Sequence, residues 1–269
     1  MSHFLDAAVE AARRGSEILL GELGTLSLDD VTIKQASDFV TRVDRASEEV
    51  IISVLRERCP GCAFLAEESA AGQADEADAG YLWIIDPLDG TTNYIHSYPQ
   101  FSISIALRHH ERVVAGLVLD PLRQELFTAE RGRGARLNGR PLKVSPVTAL
   151  KDCLVTTGFP FRRKELIDLY LMLFKRVFEK VSDLRRAGSA ALDLAHLAAG
   201  RCDAFFELGL SPWDIAAGSL LIEEAGGIVS DFAGGPDYLA TGNIVAGNPA
   251  VHGEILREVM STFSEVMER

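Results

Sequence analysis

The sequence predicts a mixed α/β fold, because helical and strand-like hydrophobic patterns alternate along the chain. Residues 7–20 place apolar side chains at the three- and four-residue spacing of an amphipathic helix. Residues 102–107 and 113–119 form apolar or alternating runs of strand length. Helical patterns return at residues 164–180 and 190–199. This order predicts helices packed against sheets rather than a fold of one element type.

The first half of the chain carries further local signals. A polar loop is expected at residues 34–44, and it leads into a second amphipathic helix whose periodicity is clearest at residues 48–55. The pair Asn138-Gly139 is typical of a type I′ turn and predicts a β-hairpin. Residues 70–80, rich in Ala, Asp, Gly and Glu, are expected to form a mobile surface loop.

The polar Ser145 and the following Pro146 mark a possible boundary between two halves, residues 1–145 and 146–269. The first half is an α+β unit and the second an α/β unit. The second half is expected to contain, beyond the two helical patterns named above, a strand at 204–207, a helix at 214–225 that Gly226-Gly227 ends, and a closing helix at 254–267.

Composition excludes several function classes. The 269 residues give room for one large or two small domains, and the formal net charge is −12. A nucleic-acid groove needs clustered Lys and Arg, so direct binding of nucleic acid is not expected. The same charge opposes an anionic substrate unless bound cations invert the local field. No apolar run approaches a membrane span and no signal peptide is evident, so a cytoplasmic protein is expected.

The four cysteines do not form a recognisable site. Cys59-Pro60-Gly61-Cys62 has the spacing of a redox pair or of half a zinc site, but no second pair completes it. Reduced thiols in a reducing compartment are therefore expected.

The most informative segment is Asp86-Pro87-Leu88-Asp89, which follows a strand pattern at residues 81–85. Pro87 cannot continue a β-ladder, so we expect the strand to end there in a turn. Such a turn would direct both carboxylates toward one point, with the Leu88 carbonyl as a third oxygen. The glycine and threonines that follow suit backbone N–H donors for an anion. A simple turn closing a strand is the alternative, because all these residue types favour turns.

Further acidic residues follow other predicted elements. Glu67 and Glu68 come after a short strand pattern at residues 63–65, and Glu207 ends the strand at 204–207. Asp214 stands at a helix start, where an ordinary acid is also favoured by the helix dipole. For Asp44 the ordinary alternative is helix capping, and for the glutamates it is a solvated loop.

Two long segments resemble the signatures of the inositol monophosphatase family. Residues 83–96 match the first, and Trp213-Asp214-Ile215-Ala216-Ala217-Gly218 matches the Trp-Asp-x-Ala-Ala-Gly of the second. The resemblance covers nearly the whole chain, and residues 185–232 look most similar to the bacterial inositol-1-monophosphatase branch. One departure is Ala66, where many members have Gly. The resemblance implies a layered α/β sandwich with alternating α-β-α-β-α layers.

The resemblance implies an all-oxygen metal centre. The first Mg²⁺ would be bound by Glu67, Asp86 and the carbonyl of Leu88. The second would be bound by Asp86, Asp89 and Asp214, with Asp86 bridging the two ions. A third, weaker ion would bind Glu67 and waters. Oxygen ligands without His or Cys favour Mg²⁺, with Mn²⁺ as a substitute.

The resemblance also implies the contacts of substrate and water. Gly90 and Thr91 would donate backbone N–H groups to the phosphate. Thr91, with Asp44 and Glu67 near it, would orient the attacking water, and Lys34 would lie on a mobile loop beside the metals. The inositol hydroxyls would contact Asp89, Ala190 and Glu207.

These assignments predict a Mg²⁺-dependent phosphomonoesterase that hydrolyses inositol 1-phosphate by metal-activated water, in a cleft between the halves. An aspartyl-phosphate enzyme is the alternative chemistry. Fructose 1,6-bisphosphate, 3′-phosphoadenosine 5′-phosphate, histidinol phosphate and NADP are alternative substrates, although Glu207 favours a small polyol. The resemblance further implies a homodimer, sensitivity to lithium and, as a non-enzymatic alternative, a partner role in transcription antitermination.

Overall fold

A computed structural model gives the fold over residues 2–26, 31–35, 38–69 and 80–267. The helices and strands are arranged in five layers, α-β-α-β-α, which confirms the layered α/β sandwich. The helices are α1 (His3–Glu22), α2 (Arg42–Arg58), α3 (Thr91–Ile95), α4 (Ile167–Phe178), α5 (Ala190–Ala198), α6 (Pro212–Glu224), α7 (Tyr238–Thr241) and α8 (His252–Met267).

The strands form two large sheets and one hairpin. The hairpin pairs β1 (Val31–Gln35) with β2 (Asp38–Thr41). The seven-stranded sheet has the order β3 (Ala63–Ala66), β4 (Tyr81–Asp89), β5 (Ser102–His109), β6 (Arg112–Asp120), β7 (Glu125–Glu130), β8 (Ala135–Leu137) and β9 (Arg140–Pro141). The five-stranded sheet has the order β11 (Asp183–Arg185), β10 (Leu154–Thr157), β12 (Ala204–Glu207), β14 (Ile244–Gly247) and β13 (Ile228–Ser230).

The outer helices α1 and α2 cover one face of the seven-stranded sheet. Strand β4 shows how the two faces are divided, since its side chains alternate between two cores. Trp83 and Ile85 pack with α1 and α2, whereas Leu82 and Ile84 face the middle layer. Both faces of this sheet are therefore buried, which explains the near-continuous apolar run.

The middle layer consists of α5 and α6, which pack between the two sheets in one shared core. Helices α4 and α8 cover the opposite face of the five-stranded sheet, around Phe206 and Val245. Close approach in the middle layer depends on glycine. A Cβ on Gly116 of β6 would lie 3.0 Å from the carbonyl oxygen of Ala217, and one on Gly218 would lie 2.5 Å from the Cβ of Leu194.

The helix and strand predictions at residues 7–20, 102–107, 113–119, 190–199 and 204–207 are confirmed within a few residues at each end. The helix predicted at 164–180 begins as a 3₁₀ turn, Lys164–Leu166, and continues as α4. Asn138 and Gly139 both have positive φ, 48° and 81°, in the two-residue turn between β8 and β9, which confirms the hairpin. The four cysteines are free thiols.

Two local predictions were wrong. Strand β4 does not end at Pro87 but continues to Asp89, because a β-bulge takes up the extra residue between the Asp86–Ser104 and Asp89–Ser102 pairs. The polar loop predicted at residues 34–44 is instead the β1–β2 hairpin followed directly by α2, since residues 38–41 pair with residues 31–35. Most of the loop predicted at residues 70–80 lies outside the described residues.

Among the described residues, no helix combines the length and the apolar character that crossing a membrane requires.

Gly→Ala substitutions at a closely packed helix position, Gly218, and at an open one, Gly21, should have opposite effects on stability. Gly218→Ala should lower the free energy of unfolding by about 1–3 kcal/mol, because the added methyl group overpacks against Leu194. Gly21→Ala in α1 should raise it by about 0.5–1 kcal/mol, because a Cβ there meets no described atom within 4 Å and alanine favours the helix. Urea unfolding of the three proteins measures both. Destabilisation of equal size in both variants would contradict this packing account.

Candidate active site

A cavity of about 350 Å³ lies where strands of both sheets end and helices of both halves begin. The ends of β4 and β12 and the starts of α3, α5 and α6 meet there. Nine of the predicted site residues line it: Glu67, Asp86, Leu88, Asp89, Gly90, Thr91, Ala190, Glu207 and Asp214. Residues 1–145 and 146–269 thus both contribute walls to one cavity.

Three buried carboxylates form the centre of the cavity. Asp86, Asp89 and Asp214 each offer one oxygen, and the three oxygens lie within 4.8 Å of one another. Their side chains are almost removed from solvent, with Asp86 only 1% exposed. Like charges this close repel each other strongly in a buried environment, so the cluster requires protons or a cation.

Asp86 lies in the bulged part of β4. Its Oδ1 accepts the Leu88 N–H at 2.9 Å, which fixes the carboxylate beside the Leu88 carbonyl. Burial raises the pKa of Asp86 well above its ordinary value, and the negative charges of Glu67, Asp89 and Asp214 raise it further. Burial is the larger cause of this shift, and repulsion within the acid cluster adds to it.

Asp89 is held by donors from α5. Its Oδ2 accepts hydrogen bonds from the Ser189 hydroxyl at 2.5 Å and from the Ala191 N–H at 2.8 Å, with the Ser102 hydroxyl at 3.5 Å. Burial, followed by the charge of Asp214, raises the pKa of Asp89 to about 7. Because Oδ2 is saturated with donors, Oδ1 is the oxygen left for a cation.

Asp214 serves both a helix and the acid cluster. Its Oδ2 accepts the Ser211 N–H at 2.7 Å, which makes it the third residue of a capping box at the start of α6. Burial raises its pKa, and the nearby Arg162 guanidinium, 3.5 Å from Oδ2, lowers it. The helix-start interpretation and the ligand interpretation of this residue are therefore compatible.

The donor set fits a hard divalent cation. All three closely spaced ligands are carboxylate oxygens, and the Leu88 carbonyl and Glu67 lie beside them in the same cavity. Carboxylate and carbonyl oxygens are the ligands that Mg²⁺ and Mn²⁺ prefer. Glu67 follows β3, where its N–H donates to the Ile85 carbonyl at 3.2 Å, and this pairing places it next to Asp86.

Thr91 links the cluster to the outer helix α2. Its hydroxyl lies 3.0 Å from Oδ1 of Asp44 and 3.1 Å from the Leu88 carbonyl. Asp44 also accepts hydrogen bonds from the N–H and hydroxyl of Thr41, so the predicted capping of α2 is confirmed while the same carboxylate reaches Thr91. Burial raises the pKa of Asp44. Asp44 does not line the cavity itself.

Gly90 occupies a position that excludes a side chain. Its φ is +99°, and a Cβ would lie 3.0 Å from the Gln100 carbonyl oxygen and 3.2 Å from that of Gly188. The chain turns here from β4 into α3, which begins at Thr91.

Lys34 lies in β1, and its side chain is outside the described part of the structure.

Ala190 and Glu207 lie on the wall contributed by the second half. Ala190 is the first residue of α5, and Glu207 ends β12 with only 5% of its surface exposed. Burial raises the pKa of Glu207 well above its ordinary value, and the charge of Asp193 adds to the shift.

Six polar residues of the cavity had no predicted role: Asn93, Thr157, Arg162, Arg186, Ser189 and Asp193. Asp193 had a readable signal, since it is an acid inside the apolar helix pattern at residues 190–199. Ser189 also had one, because it directly precedes that pattern at an N-cap position. Nothing local in the sequence distinguishes the two arginines from surface arginines.

A five-layered α/β protein in which buried carboxylates from β4 and from the start of α6 meet in one cavity belongs to the class of proteins whose sites are able to hold hard cations. The model of the inositol monophosphatase family matches residues 1–267, so the chain belongs to that family. The Nus factor SuhB of Escherichia coli strain K12 is 47% identical over 269 residues, with both chains fully covered.

Solved structures agree with this assignment. The extragenic suppressor protein suhB from Bartonella henselae is 41% identical, with a TM-score of 0.90 and coverage of 96% of this chain and 98% of that one. The inositol monophosphatase from Anabaena (Nostoc) sp. PCC 7120 is 42% identical, with a TM-score of 0.85 and coverage of 96% and 95%. The recognised family and the fold are therefore confirmed.

The raised pKa of Asp89 predicts a pH-dependent stability when divalent cations are removed. An acid with a higher pKa in the folded chain binds more protons when folded, so its contribution to stability is lost as pH rises. For Asp89 this window runs from 3.8 to about 7. In EDTA, Asp89→Asn should therefore gain stability relative to the wild type by ~1 kcal/mol or more between pH 4 and pH 8. Urea unfolding at both pH values measures the difference, and equal pH profiles would contradict the raised pKa of Asp89 that burial and the charge of Asp214 cause.

Proposed function

We propose that this chain is a Mg²⁺-dependent phosphomonoesterase that hydrolyses myo-inositol 1-phosphate to inositol and phosphate. The observation that carries the proposal is the group of three buried carboxylates, Asp86, Asp89 and Asp214, with oxygens within 4.8 Å of one another. Family membership supports the phosphatase class. With a volume of about 350 Å³, the cavity is large enough to accept a small phosphate ester.

Each part of the cavity would have a separate task. Glu67, Asp86 and the Leu88 carbonyl would bind one Mg²⁺, and Asp86, Asp89 and Asp214 a second, with a weaker third ion at Glu67. Bound Mg²⁺ supplies charge neutralisation of the phosphate and a lowered pKa of water. Two or three positive ions also reverse the local effect of the negative net charge, which otherwise repels an anionic ester.

The chain's own residues would orient the reactants. The N–H groups of Gly90 and Thr91 would hold the phosphate at the start of α3. The Thr91 hydroxyl, fixed between Asp44 and the Leu88 carbonyl, would hold the attacking water in line, with Glu67 near it. Asp44 would accept the proton that Thr91 relays, and Lys34 would lie beside the metals.

The alcohol would be bound by the opposite wall, through Asp89, Ala190 and Glu207. Glu207 is buried and negatively charged when ionised, which suits hydroxyl donors. The name of the Anabaena relative, inositol monophosphatase, supports this choice of alcohol. Other small esters of the same superfamily, including fructose 1,6-bisphosphate, 3′-phosphoadenosine 5′-phosphate, histidinol phosphate and NADP, are the alternatives that a steady-state substrate panel separates.

Asp86→Asn tests the assigned centre. Because Asp86 would contribute to both proposed ion sites, its loss should lower kcat by more than about a hundredfold while the fold is retained. Phosphate release from inositol 1-phosphate and circular dichroism measure the two quantities. Asp120→Asn, which removes a buried acid paired with Arg123 outside the cavity, is the matched control. Near-normal turnover by Asp86→Asn would refute the site.

Direct attack by water predicts the stereochemistry at phosphorus. Asp86, Asp89 and Asp214 all belong to the acid cluster, and Asp89 has one oxygen saturated by donors, so an aspartyl-phosphate is not expected. Hydrolysis of an inositol 1-phosphorothioate made chiral at phosphorus with ¹⁸O, run in ¹⁷O-water, should invert the configuration at phosphorus. Phosphorus NMR of the released thiophosphate provides the measurement, and retention, which two successive displacements produce, would establish the covalent alternative.

A second candidate function is a partner role in transcription antitermination. The observation that favours it is the name Nus factor, which relatives 46% and 47% identical carry over their whole length. This role would use an exposed surface and would survive Asp86→Asn, so the two functions are separable with one variant. They are also compatible in one protein.

The proposal includes assembly and location. We propose a cytoplasmic homodimer of chains divided near Ser145 and Pro146. Exposed apolar side chains on α4, Leu171, Met172 and Phe178, are of the kind that a dimer contact buries.

A further inference from the structure

Asp193 is a buried acid for which the proposed reaction has no use. It lies in α5 one turn after Ala190, and both residues line the cavity. Residues three apart on a helix share a face, so α5 presents this carboxylate to the same space as the alcohol-binding wall. Only 3% of Asp193 is exposed.

The three clustered acids of the cavity differ from Asp193 in how they are held. Asp86, Asp89 and Asp214 each accept a backbone N–H. Among the described residues, no hydrogen bond to the carboxylate of Asp193 is present, and it does not belong to the group of acids within 4.8 Å. A buried carboxylate without donors is costly, so donors must come from what enters the cavity.

Glu207 is a second buried acid of this wall, and it too lacks hydrogen-bond donors among the described residues. Its carboxylate accepts no hydrogen bond from the described residues, and it lies against Gly158, where a Cβ would be 1.9 Å from Oε1. The guanidinium of Arg186, in the same cavity, offsets part of the charge of both acids. Among the described residues, this wall therefore holds two neighbouring carboxyl groups, Asp193 and Glu207, and the Arg186 guanidinium, which forms no hydrogen bond with either of them.

We propose that Asp193 is a specificity-determining residue that accepts a hydrogen bond from a hydroxyl of the substrate's alcohol, next to the hydroxyl bound by Glu207. The inference rests on the proposed phosphatase function and narrows its substrate class. It selects a neutral polyol with neighbouring hydroxyl groups. An ionised second phosphate carries acceptors and no donor for these two acids, so a bisphosphate is disfavoured on this wall.

The test compares two esters that differ only in their hydroxyls, inositol 1-phosphate and cyclohexyl phosphate. Asp193→Ala should lower kcat/KM for inositol 1-phosphate about 10- to 100-fold, mainly through KM, because a buried substrate hydroxyl loses its acceptor. Hydrolysis of cyclohexyl phosphate should change less than about threefold, since this ester has no hydroxyl for Asp193. Asp193→Asn, which keeps an acceptor oxygen, should fall between the two.

Two controls separate this inference from the proposed function and from misfolding. Asp120→Asn removes a buried acid outside the cavity and should leave the ratio of the two kcat/KM values unchanged. Thermal unfolding of each variant confirms that it is folded at the assay temperature.

The outcomes are distinct. Equal losses on both esters, or no loss on either, would overturn the role of Asp193 while leaving the phosphatase intact. A wild-type protein that hydrolyses neither ester would instead overturn the proposed function itself. A preference for fructose 1,6-bisphosphate that Asp193→Ala leaves unchanged would overturn the neutral-polyol class.

Discussion

The repulsion among Asp86, Asp89 and Asp214 is the constraint on which the rest of the structure depends. Three carboxylates with oxygens within 4.8 Å of one another are unstable unless the fold holds them in place and a cation or protons neutralise them. The fold does hold them, with backbone N–H groups of Leu88, Ala191 and Ser211. The layers that carry these N–H groups are therefore as necessary to the cluster as the acids themselves.

The positions of the Ala191 N–H group and of Asp214 depend on the middle helical layer. Helices α5 and α6 pack against both sheets, and this position brings Ala191 and Asp214 to the end of β4. The approach is close enough that Gly116 and Gly218 have no room for a Cβ. Because one core packs against both sheets, it fixes the distance between Asp214 and the acids of β4. A flexible connection between the two halves would leave that distance variable.

Much of the fold and part of the site were readable from the sequence. Period-two and helical patterns located β5, β6, β12, α1 and α5, and acids directly after strand patterns located Asp86 and Glu207. Pairing with distant strands decided the rest. The register of β4 against β5 creates the bulge at Pro87, and no local pattern specifies that register. Arg162 reaches the cavity only through tertiary packing, so its sequence neighbourhood carries no signal.

Hydrogen-bond satisfaction divides the cavity into two functional walls. Asp86, Asp89 and Asp214 already accept backbone N–H donors, which hold their side chains in place, so their remaining oxygens suit a cation. Among the described residues, Asp193 and Glu207 have no such donors, and only 3% and 5% of these two residues are exposed. Under the proposed function, hydroxyl groups of the alcohol would supply the missing donors and so favour its binding. The same rule of satisfied polar groups would then give the cavity a rigid wall that suits cations and a second wall that selects the alcohol.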